Sequence, residues 1–226
     1  MRFSKAALVK ETRDVLFKFG YYEMKDKFTV ADGLFAKELD NGLFLTLGFT
    51  ISRLYEDRFT ASYYLSRTTI WAALWGDVPK ECYKRIGHYL SRAERKLLAP
   101  QENEEQSDVW WDFDAEAIAR FLQAIQLTED RFLNQDGLIN QVNESSEVNR
   151  LHYLSKKVVE GYLSNRLPDR VLRFTPKKDK FIDVRWFELA EITLLDENEI
   201  VNKNTVSRLA ADAYRQTYLM HLRSYS

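Results

Sequence analysis

The sequence predicts an α+β fold: an antiparallel β-meander of three to five strands packed by helices, with a mostly helical C-terminal extension. Three observations carry that expectation. Leu8, Thr12, Val15, Leu16 and Phe19 recur at helical spacing before Gly20. From Leu43 to Leu65 the apolar period falls to two, as in strands. Beyond Ser145 the three-and-four spacing of amphipathic helices returns and persists.

Taken in order, residues 4–19 read as a helix that Gly20 stops. A first strand is expected within Tyr21–Lys25 or Lys27–Val30. "LFAKEL" and "LFLTLGFTI" flank Asn41-Gly42, a pair that accepts the positive backbone angles of a tight hairpin turn. Leu43, Leu45, Leu47, Phe49 and Ile51 share the buried face of the second of these strands, and Phe59, Ala61, Tyr63 and Leu65 continue the meander. After Pro79, the stripe Cys82, Ile86, Tyr89, Leu90 predicts a helix to about Leu97. A polar loop follows, then a helix through Ile118, Phe121, Leu122 and Ile125, capped by Asp112 or Asp114. A short separate helix is expected over Glu129–Asn134, ending at Asp136-Gly137. Val148 to Tyr162, Trp186 to Leu194 and Val206 to Met220 give three more stripes, the last with Asn202 or Asn204 near its cap. The composition shift near Ser145 divides an α+β domain (1–145) from a helical extension (146–226), and no Gly/Ser/Pro linker separates them.

The bulk composition narrows the function classes. With 33 basic and 34 acidic residues in 226, net charge is −1, which gives no overall electrostatic case for nucleic acid. The single cysteine, Cys82, cannot form an internal disulfide framework or a cysteine zinc site. No apolar run approaches a membrane span or a signal-peptide core, so a cytoplasmic protein is expected.

The order of motifs resembles the bacterial domain-of-unknown-function 4304 family over roughly residues 8–145. It runs from a helix ending in Phe-Gly through a meander, "CYKRIGHYL", "DVWWDF" and "AIARFLQAIQLTEDRFL" to "GLINQV". The resemblance implies an α+β fold, no assigned chemistry, and an association with toxin–immunity or defence systems.

Catalytic constellations are sparse. Cys82 and His88 share the predicted helix, where six residues separate them by about 600° and about 9 Å, too divergent for a nucleophile–base pair. His88, His152 and His221 form no metal-ligand spacing, and the glycines form no phosphate-binding pattern, so neither metal nor cofactor is expected. The reading is therefore non-enzymatic, with an uncharacterised hydrolase as a further alternative.

Charge and aromatic clustering point to partner binding instead. Residues 101–116 hold seven acids and no base around the adjacent Trp110 and Trp111. Neighbouring residues diverge, so one indole should anchor the core while the other faces outward. Trp110, Trp111, Glu102, Glu104, Glu105, Asp108 and Asp112 are the expected partner-binding residues, the aromatics as hot spots and the acids as steering charges toward a basic protein, a toxin on the family resemblance. The alternative is nucleic-acid contact through the basic segments 84–96 and 170–185, with Arg170, Arg173, Lys177 and Lys178 at the phosphates. Against it stands the competing expectation that the 84–96 cations simply face the acidic loop.

Overall fold

The computed structural model describes residues 3–24, 31–55, 57–71, 82–164, 184–195, 201 and 203–223. Helix α1 (Lys5–Lys18) begins where the Ser4 hydroxyl accepts the Ala7 N–H, and the chain leaves it through Gly20 at φ +85°. Strands β1 (Tyr22–Glu23), β2 (Gly33–Glu38), β3 (Phe44–Ile51) and β4 (Arg58–Ser66) form an antiparallel meander. The expected first strand is the two-residue β1; residues 25–30 lie outside those described. Two short strands share the far edge of β4. Strand β5 (Tyr83–Arg85) pairs with Ser62–Tyr64, and β6 (Trp111–Asp112) pairs with Arg58–Phe59. The fold is α+β, as the period change predicts.

The hairpin between β2 and β3 forms at Asn41-Gly42, with a longer loop than a two-residue turn. Leu39 N–H bonds the Leu43 carbonyl, and residues 40–42 make a 3₁₀ turn closed by Gly42 at φ +69°. A left-handed closing residue is what a three-residue hairpin loop requires.

One sheet face behaves as the alternation predicts. Leu45, Leu47, Phe49, Phe59, Ala61, Tyr63 and Leu65 are fully buried beneath α3 (Ala115–Leu133), whose Phe121 ring meets Phe49 and Phe59 edge-on at 5.6 and 5.0 Å. The opposite face, which the alternation does not mark, is largely buried too, with Thr46, Thr60 and Ser62 fully enclosed. Its small side chains let other groups approach closely. Thr60 donates to the Val109 carbonyl at 2.8 Å, and the Trp71 ring lies so near Gly48 that a Cβ there would stand 2.3 Å from it.

Two helix expectations are corrected. Residues 82–97 are not one helix: Cys82 precedes β5, a 3₁₀ turn spans Ile86–Tyr89, and α2 runs only from Arg92 to Leu98. Ser91 and Glu94 form a reciprocal capping box that starts α2, so the apolar stripe read as one helix face crosses a strand and a turn. The separate Glu129–Asn134 helix is instead the end of α3, which Asp114 alone caps by accepting the Ala117 N–H at 2.7 Å. Helix α4 (Leu138–Glu144) then starts after Gly137 at φ +78°.

The C-terminal part is helical: α5 (Ser146–Ser164), α6 (Val184–Leu195) and α7 (Lys203–Arg223) pack on one another. Val206, Leu209 and Ala213 are buried as expected, whereas Met220 is exposed. Asn202 lies outside the described residues. A buried carboxylate ties these helices to the chain leaving β4. Asp212 Oδ1 accepts the Thr69 N–H and hydroxyl, each at 2.6 Å. Oδ2 accepts Gln216 Nε2 at 2.8 Å and the Ser155 hydroxyl, while Arg215 Nε donates to Thr69 Oγ1 at 2.8 Å. Asp212→Ala strands these donors away from water and should lower unfolding free energy by about 3–5 kcal/mol in urea titrations. Asp212→Asn keeps one acceptor oxygen and should lose less. Gly48→Val forces the Trp71 ring off the sheet, with an expected loss of about 2–3 kcal/mol in the same titration.

Candidate functional site

The two tryptophans divide at the start of β6, one inward and one outward. Trp111 is fully buried; its Nε1 donates to the Leu98 carbonyl at 3.0 Å, and its ring lies 5.2 Å from Phe121 and 6.4 Å from Phe59. Trp110 is half-buried on the other side. Its carbonyl accepts Gln101 Nε2 at 2.8 Å, and the Arg85 guanidinium sits 5.1 Å above its ring. Trp111 is therefore the anchor and Trp110 the ring that borders solvent.

The acids of residues 102–112 meet cations from three elements. Arg58, on β4, bridges Glu102 at 2.8 Å and Asp112 at 2.9 Å, and lies 5.0 Å over the Tyr55 ring. Arg85 on β5 pairs with Asp108. From α2, Arg92 bridges Glu104 and Glu105 at 2.6 and 2.8 Å, and Lys96 stands 3.9 Å from Glu104. Arg95 clamps the loop backbone through the Glu104 carbonyl at 2.9 Å. Asp114 caps α3 and Glu116 pairs with Arg120 along it. The basic 84–96 segment thus faces the acidic loop, and all five acids expected to steer a partner hold an intramolecular cation.

That pairing changes the local electrostatics. Hydrogen bonds and attraction from Arg92 hold the Glu104 carboxyl below its ordinary range. Burial, partly opposed by Arg58, pushes Glu102 up, with Asp112 and Asp108 adding to the rise. His88 is held below its ordinary value by desolvation and then by Lys84. The loop keeps exposed carboxylates, Glu105 and Asp108 foremost, but far less unbalanced charge than its composition implies.

Other expected positions fall elsewhere. Cys82 is fully buried, and His88 is exposed on the 3₁₀ turn. Arg170, Arg173, Lys177 and Lys178 lie outside the described residues. Among the described residues, no group of three or more His, Cys, Asp or Glu side chains is placed to hold a metal ion, and no helix is long and apolar enough to cross a membrane. Sequence reading missed Arg58 as the hub of the loop; nothing local marks an arginine on β4 as the partner of acids 44 and 54 residues away. It also missed the Glu94–Arg131 pair, although Ser91-x-x-Glu94 is a visible capping signature. No family model, curated protein or solved structure matches the chain.

Glu94 provides a pH test of the frame around the loop. Arg131 donates to its two oxygens at 2.7 Å each and Ser91 N–H adds a third bond, holding the carboxyl down to about 2 against an ordinary 4.5. A lowered folded-state pKa favours the folded protein above 4.5, and that stability is lost as pH falls toward 2. Glu94→Gln should therefore destabilise the protein near neutrality by about 1 kcal/mol, a value reduced by solvent screening at the partly exposed Arg131. Thermal melts should show the gap from wild type closing as pH drops from about 4.5 to about 2.5.

Proposed function

We propose that this chain is a non-enzymatic, cytoplasmic protein-binding module of the immunity type, which neutralises a cognate toxin through the surface around Trp110. The observation that supports the reading is the division of the tryptophan pair. A fully buried Trp111 fixes the strand, so its neighbour presents a large ring at the surface at little entropic cost. Rigid, part-exposed aromatics beside arginine are the residue types that dominate binding free energy at protein interfaces. Leu54 and Tyr55, at 88% and 58% exposure, are further apolar side chains at the β3–β4 hairpin tip, and Tyr55 lies beneath the same Arg58 that holds Glu102 and Asp112.

In this reading the carboxylates contribute orientation more than attraction. Glu102 and Asp112 fix Arg58, Asp108 fixes Arg85 over Trp110, and Glu104 and Glu105 fix Arg92. A basic partner then competes for the exposed oxygens of Glu105 and Asp108 at the rim, where charges mainly set association rate. The nucleic-acid reading draws no support from Arg85, Arg92 and Arg95, whose donors turn to the loop.

Co-purification from native cells, followed by titration of the recovered partner, tests the proposal. Trp110→Ala should weaken the complex by about tenfold or more while leaving circular dichroism unchanged. Trp111→Ala should instead cost about 3–5 kcal/mol of folding stability. Undiminished affinity in Trp110→Ala combined with Glu105→Lys and Asp108→Lys would remove this surface from the account.

A further inference from the structure

The outward face of α5 has a pattern that the proposed toxin contact does not use. Asn149, Tyr153, Lys156, Glu160 and Leu163 are exposed, at alternating spacings of four and three residues. Leu151, Leu154, Ser155, Val158, Val159 and Tyr162 form the buried face opposite, against the rest of the C-terminal helices. A seam spaced by three and four stays on one side of a helix for several turns, which is the geometry of helix pairing.

The order of residues along that seam is antisymmetric in charge. Lys156 and Glu160 lie equally far from Val158 on either side, and so do Tyr153 and Leu163. A second α5 laid antiparallel about that centre brings Lys156 against Glu160 of the other copy, twice, and Tyr153 against Leu163, twice. A parallel arrangement would set lysine on lysine and glutamate on glutamate. Self-complementarity under a twofold axis is what an isologous interface demands, and opposite charges at the paired positions fix its direction. Lys156 and Glu160 are 65% and 61% exposed and stand 3.8 Å apart on their own helix, so both can turn to a partner without unburying anything.

We propose that α5 is a self-association face, on which a second copy of this chain docks antiparallel with the twofold axis passing midway between Lys156 and Glu160. From Tyr153 to Leu163 the seam is about 15 Å long, so the contact belongs to the small, reversible class of interfaces. It leaves the loop around Trp110 outside the contact and does not depend on what that loop binds.

Sedimentation velocity of the full chain, at concentrations up to about 0.5 mM and low salt, tests this directly. A monomer–dimer equilibrium is expected, with dissociation rising about tenfold in Lys156→Glu or in Glu160→Lys alone. The double exchange K156E/E160K should restore dimerisation, because the antiparallel pairs are re-formed with their signs reversed. In a second measurement, a short bismaleimide should join Tyr153→Cys chains to Leu163→Cys chains in a mixture, and neither to itself; the native Cys82 is fully buried. A chain that remains monomeric throughout that range, a dimer unaffected by the single exchanges, or a double exchange that fails to rescue would each overturn the proposal.

Discussion

The burial of one indole organises the part of the molecule that bears the candidate site. Trp111 must place a large apolar ring and a single N–H donor, and the core satisfies both, with Phe59 and Phe121 around the ring and the Leu98 carbonyl at the nitrogen. Because the acceptor is the last residue of α2 and the rings belong to β4 and α3, one side chain fixes three elements at once. The two-residue β6 is too short to hold its register by ladder bonds alone; the ring inserted beneath it supplies the constraint. Phe113 N–H then bonds the Asp57 carbonyl at 2.7 Å, and Asp114 is delivered to the first turn of α3.

With its end fixed in this way, the acidic loop is drawn against the cations it needs. Five carboxylates within eleven residues repel one another unless cations intervene. Arg58 on β4, Arg85 on β5, and Arg92 and Lys96 on α2 supply them, so the charge balance is a property of the tertiary fold rather than of the segment. Individually these part-exposed pairs contribute little stability. Their effect is geometric: a loop with little regular structure follows one path, and Arg85 is held over Trp110.

Much of the architecture was legible in the sequence, and particular residues show where legibility stopped. Alternation from Leu43 to Leu65 located β3 and β4 because the core face tolerates only apolar side chains. Leu8 to Phe19 and Val148 to Tyr162 located α1 and α5 for the corresponding helical reason. The false helix across 82–97 arose because Cys82, Ile86 and Leu90 are all buried, and burial at spacing four is shared by a helix and by a strand followed by a turn. There the local hydrogen-bond signal of Ser91 and Glu94 outranked periodicity. Burial of the second sheet face did not show in the alternation, which marks only the apolar side, because Thr46, Gly48, Thr60 and Ser62 carry no hydrophobic signal. In this fold their small size is what admits Trp71 and the loop carbonyl of Val109. At the candidate site, the divergence of Trp110 and Trp111 followed from adjacency alone, but which ring is buried depends on the register of β6 against β4, a non-local quantity.

The same distinction bears on how an acidic–aromatic segment should be read. A run of carboxylates counted along a sequence looks like an exposed field, whereas its effect on a partner depends on the cations the fold delivers from elsewhere. Here Arg58 lies 44 residues before Glu102 and 54 before Asp112, so no window on the sequence contains both halves of the charge balance. Once the halves meet, long-range attraction is weakened, while the side chains around the ring become better ordered.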